Sequence, residues 1–151
     1  MIRGLVHIGI TVVDFEKMLG FYRDVLGLAL DAIVRHPRGG VKTCLRGTDN
    51  ETIEMISYPE PKPHQGRDLS RTGIHHFGFV VDDIRKDYER LGQLGVEFDG
   101  GIKPNAKGDL VVHFWDPEGN RVHLTQLRSR TVDSSGPKTL RRGRAGRRES
   151  L

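Results

Sequence analysis

The stretch Ile74-His75-His76-Phe77-Gly78-Phe79-Val80-Val81-Asp82-Asp83 decides the fold, because the chain contains an earlier copy of it 69 positions upstream. The earlier copy is Leu5-Val6-His7-Ile8-Gly9-Ile10-Thr11-Val12-Val13-Asp14. The same offset places Ile53-Glu54-Met55 on Val122-His123-Leu124. A repeat of this period predicts two copies of one supersecondary unit.

Each copy predicts the same order of elements. Alternating apolar residues predict strands, Asp14 and Asp82 or Asp83 are good N-caps, and Gly- and Pro-rich segments predict loops. The first copy is predicted to have strands at 5–12, near 28–34, at 41–46 and at 51–57, with a helix after Asp14. The second is predicted to have strands at 74–81, near 96–99, at 109–115 and at 120–127, a helix ending about Leu94, and a loop over 100–108. The pattern predicts an α+β fold of two βαβββ modules, 1–57 and 74–127, joined by a linker over 58–73.

Length and composition indicate one folded domain. The chain has 151 residues, of which 36% are hydrophobic and 29% charged, enough for a sizeable core. No apolar run approaches the length of a membrane span, and the N-terminal residues lack a signal peptide's apolar stretch. The single cysteine, Cys44, excludes an internal disulfide and a cysteine zinc cluster. We therefore predict a cytoplasmic protein without membrane contact.

The net charge of +4 comes from one end of the chain. Residues 128–151 contain eight Lys and Arg residues against two acidic ones, a balance of +6. The preceding residues therefore carry 16 basic and 18 acidic groups, a balance of −2. The Arg-, Ser- and Gly-rich end has almost no large apolar residue, which predicts a disordered tail. The folded part lacks the basic footprint of a nucleic-acid-binding protein.

Four residues able to bind metal occupy matched places in the two copies: His7, Glu54, His76 and His123. Strand alternation places the first and third on corresponding faces, beside glycines that leave room for a ligand. An ionised Glu54 within a hydrophobic run is costly unless it is paired or bound to metal. Four independent core polar residues would rarely share one offset, so we predict that these four bind a metal ion.

The remaining histidines and the cysteine have simpler interpretations. His36, His64 and His113 have no matched partner, and we interpret them as hydrogen-bonded or exposed residues. His75 is predicted to face away from His76, because neighbouring residues in a strand point to opposite faces. Cys44 is interpreted as an inert buried thiol.

Three segments resemble the vicinal oxygen chelate superfamily, which includes glyoxalase I, methylmalonyl-CoA epimerase, extradiol dioxygenases and fosfomycin-resistance proteins. They are His7-Ile8-Gly9-Ile10 with Phe21-Tyr22-Arg23-Asp24-Val25-Leu26-Gly27-Leu28, then Gly73-Ile74-His75-His76-Phe77, and Phe114-Trp115-Asp116-Pro117-Glu118-Gly119-Asn120. The resemblance implies a cupped, barrel-like mixed sheet with helices outside, built from the paired modules around a divalent metal that chelates vicinal oxygens of a small substrate. Because this superfamily uses one scaffold for many reactions, the resemblance indicates the fold more strongly than the reaction.

The chain departs from the family pattern at His123, where the family usually has glutamate. Glu54 occupies the other carboxylate position, as in glyoxalase I. Three neutral imidazoles and one carboxylate leave a divalent ion with a net charge of about +1, which should favour an anionic oxygen pair. Imidazole-rich ligation favours Fe, Ni, Co, Mn or Zn and argues against Mg or Ca.

Three functions are compatible with this resemblance. In a metal-dependent lyase or isomerase, the metal polarises a carbonyl, Glu54 removes a proton from the adjacent carbon, and His123 is a ligand or a second acid/base. In a non-haem iron dioxygenase, His7, His76 and Glu54 form a two-histidine, one-carboxylate set. The third is a metal-free protein that binds a drug. We favour the first, because the ligands are retained and extradiol members usually carry their carboxylate at the position of His123.

The resemblance also suggests a pocket and an assembly. The substrate pocket is predicted to be lined by Thr11, Arg46, Tyr58, Phe114 and Trp115, which lie on strands or linker near the ligands. A homodimer is expected, because family members form the site either within one chain or across a dimer. Both arrangements unite the same four ligands.

Overall fold

Two βαβββ modules make up the described part of the chain in the computed structural model. The structure describes residues 1–2, 4–48, 51–63, 66–70 and 72–128. The predicted tail from 129 onward, the turn residues Asp49 and Asn50, and His64 lie outside the described residues. Within the described ranges, no helix is long and apolar enough to cross a membrane. The predicted α+β class is confirmed.

The first module begins with β1 (His7–Thr11), which buries Ile10 and exposes the residues on either side of it. The Asp14 side chain accepts a hydrogen bond from the Lys17 N–H at 3.0 Å and so caps α1 (Phe15–Gly20). The helix continues as a turn of π-helix (Phe21–Val25), followed by β2 (Ala29–Leu30), β3 (Val34–Arg35), β4 (Val41–Arg46) and β5 (Thr52–Ser57). The sheet order is β1-β5-β4-β2, and β3 also pairs with β4.

The second module repeats this order. The Asp83 side chain accepts hydrogen bonds from the Arg85 and Lys86 N–H groups at the start of its helix. Its elements are β6 (Phe77–Val80), α2 (Ile84–Gln93), β7 (Phe98–Pro104), β8 (Leu110–Trp115) and β9 (Arg121–Gln126). The sheet order is β6-β9-β8-β7, with β6 parallel to β9 as β1 is parallel to β5. The repeat in the sequence is therefore a repeat in topology.

The structure departs from the predicted elements in three places. The strand predicted over 74–81 begins only at Phe77. The strand predicted near 28–34 is divided into β2 and β3. Residues 100–104, predicted as loop from their Gly and Pro content, continue β7; its register against β8 shifts between Asp99 and Lys103, and Gly100 supplies a φ of +88° at this irregularity.

The two modules share one hydrophobic core, formed by the helix-facing sides of both sheets. At its centre the Tyr22 hydroxyl, on the π-helical turn of the first module, donates a hydrogen bond to Asp116 Oδ2 at 2.8 Å. Both residues are buried. Burial, and after it the negative charge of Asp116, raises the pKa of Tyr22 well above its ordinary value. The phenol therefore stays protonated and remains a donor.

The turn between β8 and β9 makes a second connection between the modules. The Glu118 carboxylate accepts hydrogen bonds from the Val13 N–H at 2.9 Å and the Asp14 N–H at 2.7 Å. Asp116 Oδ1 accepts hydrogen bonds from the Glu118 and Asn120 N–H groups at 3.1 and 2.8 Å. One turn therefore closes the β8–β9 hairpin and binds the start of α1.

The two sheets are separate within the chain and do not close into the predicted barrel-like sheet. In the part of the chain that the structure describes, β1 and β6 are edge strands, each paired on one side only. Because the helix-facing sides meet in the shared core, the opposite faces of the two sheets point outward. These outer faces carry the candidate site residues.

We predict that Tyr22→Phe lowers the free energy of unfolding by about 1–3 kcal/mol, because it removes a hydrogen bond from a buried carboxylate while keeping the ring. Tyr88→Phe is the matched control, since the Tyr88 ring packs against Phe98 at a centroid distance of 4.3 Å and keeps that contact. Urea denaturation followed by circular dichroism measures both variants. Equal stability of the two would contradict a structural role for the Tyr22–Asp116 hydrogen bond.

Candidate metal centre

Three histidines cluster on the outer face of the second sheet. His113 and His123 are directly opposite each other on β8 and β9, and His76 immediately precedes β6. One ligand nitrogen from each lies within 4.8 Å of the other two. The ring centroids are 4.9 Å apart for His76–His123, 5.2 Å for His113–His123 and 5.4 Å for His76–His113.

Burial favours the neutral form of all three imidazoles. It lowers the pKa of His123 to about 4, and the positive charges of His76, His113 and Arg121 contribute further. It is also the largest cause of the lowered pKa of His76 and of His113. Neutral imidazole is the form that binds metal ions. The cluster is therefore in its ligating form at neutral pH.

The position of the His123 ring depends on Gly78, its register partner on β6. A Cβ at Gly78 would lie 2.0 Å from His123 Nε2, so the ring occupies space that only glycine leaves open. His123 Nδ1 is buried without a hydrogen-bond partner among the described residues. Such a nitrogen is costly to bury and needs a ligand or donor. These features fit a bound transition-metal ion.

The first sheet carries a histidine and a carboxylate at the matched positions. His7 Nε2 lies 4.0 Å from Glu54 Oε2, and Lys42 Nζ donates a hydrogen bond to Glu54 Oε1 at 3.0 Å. This bond raises the pKa of Lys42. The cost expected for Glu54 in a hydrophobic run is thus reduced by a lysine on the neighbouring strand, and by its position on an outer face where its side chain is 21% exposed.

The structure brings the four predicted ligands together in two pairs and not in one site. His7 lies beside Glu54 on the first sheet, and His76 lies beside His123 on the second. In the described ranges, the only group of three His, Cys, Asp or Glu ligand atoms mutually within 4.8 Å is that of His76, His113 and His123. One chain alone therefore does not unite the four.

Sequence reasoning missed His113, although two signals indicated it. The five-residue turn after Trp115 pairs that residue with Arg121, and so places His113 opposite His123. The 69-residue offset also aligns His113 with Cys44, which lies opposite Glu54 on β4 and β5. His113 therefore has a matched partner, and its interpretation as an unmatched residue is wrong. Cys44 itself is half-buried, and burial raises the pKa of its thiol.

The prediction for His75 is wrong, and the prediction for His36 is confirmed. His75 Nδ1 lies 2.7 Å from His76 Nδ1, so the prediction that the two face opposite ways is wrong. Both precede β6, where strand alternation does not apply. His36 packs edge-on against Tyr58, at a centroid distance of 5.0 Å, and its Nδ1 accepts a hydrogen bond from the Arg38 N–H. It is the ordinary hydrogen-bonded histidine that was predicted.

The second sheet also presents charged groups beside the histidines. The cluster opens into a groove of about 570 Å³ that Asp99, Lys103 and Arg121 also line. One terminal nitrogen of Arg121 donates to Asp99 Oδ2 at 2.7 Å, while its Nε is buried without a partner in the described part. The positive charge of Arg121 is thus paired with Asp99, whereas Lys103 adds a further positive charge to this groove.

The five residues predicted to line the substrate pocket are dispersed. Phe114 is instead fully buried in the core between Phe21 and Phe98, because it alternates to the inner face of β8. Trp115 lies on the outer face, under the guanidinium groups of Arg67 and Arg121 at 5.2 and 5.9 Å from the ring centroid. It lines a 430 Å³ cleft that also reaches His76.

The remaining three predicted pocket residues belong to the first module. Thr11 ends β1 and is exposed on the face of His7. Arg46 ends β4 and pairs with Asp31 through its Nε at 3.1 Å. Tyr58 follows β5 and packs against His36. They lie on or beside the sheet that carries Glu54, apart from the histidine cluster.

Comparison with known proteins identifies the family. The family model described as the Glyoxalase/Bleomycin resistance protein/Dioxygenase superfamily matches residues 4–124. The chain belongs to this superfamily. Members of the glyoxalase superfamily typically bind small molecules and use a divalent metal ion, which agrees with the fold and with the histidine cluster.

Two epimerases and one protein of known structure are similar to this chain. The ethylmalonyl-CoA/methylmalonyl-CoA epimerase of Cereibacter sphaeroides is 32% identical over 84% of this chain and 100% of its own. The mitochondrial methylmalonyl-CoA epimerase of Mus musculus is 33% identical over 80% of this chain and 71% of its own. The crystal structure of the glyoxalase family protein from Enterococcus faecalis has the same fold, with a TM-score of 0.69 at 20% identity over 82% and 98% of the two chains.

We predict that Gly78→Ala displaces the His123 ring, whereas Gly9→Ala leaves its neighbours in place. A Cβ at Gly78 would overlap the imidazole, but one at Gly9 would lie 4.0 Å from Glu54 Oε2, an ordinary contact. The two glycines occupy matched positions, so each controls for the other. Imidazole NMR signals of His123 should shift and broaden in the first variant only. An unchanged His123 signal in Gly78→Ala would refute the close approach.

Proposed function

We propose that this protein is a metal-dependent lyase or isomerase that moves a proton on a carbon next to a carbonyl. The observation that carries the proposal is a partly buried carboxylate, Glu54, on one outer face and a cluster of neutral imidazoles at the matched place on the other. A carboxylate is a suitable base for such a carbon, and imidazoles are suitable ligands for a transition metal. The two epimerase relatives support this reaction class.

The ligands in this proposal are His7, Glu54, His76 and His123, with Fe, Ni, Co, Mn or Zn as the ion. A bound ion of this kind supplies a Lewis acid that polarises a carbonyl oxygen. His123 Nδ1, which is buried with no hydrogen-bond partner among the described residues, supports a ligand at this place. The substrate class is a small molecule with two neighbouring oxygens and negative charge, which the charge of Lys103 in the groove favours.

Glu54 would act as the base when it is not bound to the ion. Lys42 holds Oε1 through a 3.0 Å hydrogen bond, which leaves Oε2, on the side of His7, to accept a proton. The lysine thereby keeps its positive charge beside the carboxylate, because the hydrogen bond raises the pKa of Lys42. His123 is the second acid/base if it is not bound to the ion.

A second copy of the chain completes the proposed site. The two pairs of ligands lie on outward faces beside two edge strands, β1 and β6. An exposed edge favours pairing with another chain. In a twofold dimer, β1 of one protomer lies beside β6 of the other, which forms two identical sites and brings a His7–Glu54 pair to a His76–His123 pair twice.

We predict about one transition-metal ion per chain in protein purified without a metal-affinity step, and metal-dependent exchange of the acidic proton of methylmalonyl-CoA with deuterium from the solvent. Glu54→Gln should lower the exchange rate by about 10²–10⁴-fold, because the amide cannot accept the proton. Glu89→Gln, on the exposed face of α2, is the control. The measurements are elemental analysis and NMR. Metal-free protein, or iron-dependent oxygen consumption without exchange, would overturn the proposal.

The dimer is tested by mixing two inactive variants. Co-refolded Glu54→Gln and His123→Ala chains should recover about a quarter of the wild-type exchange activity, since half of the dimers are mixed and each mixed dimer has one intact site. Each variant refolded alone is the control. A site within one chain would give no recovery, and this outcome would exclude the exchanged dimer without affecting the proposed reaction.

A further inference from the structure

The second module presents three imidazoles on one face, although only two of them belong to the matched ligand set. The centroid distances of His113 to His76 and to His123, 5.4 and 5.2 Å, are close to the 4.9 Å between the other two. The register of β8 and β9 fixes His113 opposite His123. His113 is therefore about as close to His76 and His123 as these two predicted ligands are to each other.

The three nitrogens are close enough for one ion to bind them. Metal–nitrogen bonds of about 2.0–2.1 Å require the ligand nitrogens to lie about 3.0–3.4 Å apart. The three nitrogens lie within 4.8 Å of one another, so side-chain rotation would bring them to this spacing around one ion. His76 lies outside the strand pairing of β6, and its Nδ1 is 2.7 Å from His75 Nδ1. Gly78 leaves the space that the His123 ring needs.

We propose that His113 is a metal ligand and that the second module binds a transition-metal ion through His76, His113 and His123 without the first module. This proposal rests on the metal dependence of the proposed function and assigns a different set of ligands to it. Three histidines with an open fourth position form a known type of catalytic zinc site. Zinc, cobalt and nickel suit these ligands, whereas magnesium and calcium prefer oxygen.

The surroundings of the cluster are compatible with a cation. Arg121, the nearest positive group, is paired with Asp99, which lies opposite His113 in the register of β7 and β8. Because three imidazoles are sufficient, Glu54 is not needed as a ligand. It then remains bonded to Lys42 and available as the base. The ion and the base would thus come from different modules.

Zinc titration by calorimetry tests the assignment on the full-length, metal-stripped protein. His113→Ala and His113→Gln should weaken zinc binding by more than about 100-fold, since loss of a ligand costs at least as much as loss of an outer partner. Val111→Ala, on the same face of β8 and in the same groove, should bind zinc as the wild type does. Glu54→Gln should change the affinity by less than about tenfold. Circular dichroism shows whether each variant is folded.

X-ray absorption of the zinc-loaded protein counts imidazole ligands independently of affinity, and His113→Gln should have one fewer than the wild type. Unchanged affinity and ligand count in both His113 variants, with zinc binding lost in Glu54→Gln, would overturn this assignment and leave the proposed reaction standing. Zinc binding that depends on His113, without proton exchange, would support the assignment and overturn the reaction. Absence of zinc, cobalt and nickel binding in the wild type would refute both.

Discussion

The carboxylate of Asp116 is the constraint on which most of the structure depends. It accepts the Tyr22 hydroxyl from the first module and the N–H groups of its own turn. The first contact joins the two modules in their shared core. The second fixes the turn between β8 and β9, and the turn fixes the register that places His113 opposite His123. One buried, fully hydrogen-bonded carboxylate therefore connects packing to the geometry of the candidate site.

The faces of the two sheets that carry the candidate site residues point away from the shared core. One chain alone therefore does not bring the four predicted ligands together. The helix-facing sides of the sheets bury a common core, so the polar residues that the repeat matches appear on opposite, outward faces. This arrangement explains why the predicted ligands, which match in sequence, are separated in space.

The sequence predicted most of the fold, because a duplicated unit repeats its strand alternation and its helix caps. Side-chain chemistry predicted Asp14 as one cap and Asp82 or Asp83 as the other, and the structure has Asp14 and Asp83. The continuation of β7 through Gly100 could not be predicted, since a register shift depends on the partner strand. The orientation of the two sheets also depends on tertiary contacts, such as the one between Tyr22 and Asp116, that no local pattern contains.

Only part of the candidate site could be predicted from the sequence, for a similar reason. His7 and His76 are identical residues at matched positions, so the repeat indicates both. His113 is matched to Cys44, a different residue type, and was therefore not predicted. Lys42 was missed because its contact with Glu54 crosses between strands.

The two halves of the repeat differ chemically: one outer face has three imidazoles, and the other has a carboxylate with a lysine beside it. In the proposed site, substitutions in one half would alter the choice of ion and leave the group that accepts the proton unchanged, and the reverse would also hold. The two copies of the repeated unit can therefore change independently of each other, although a single gene encodes both.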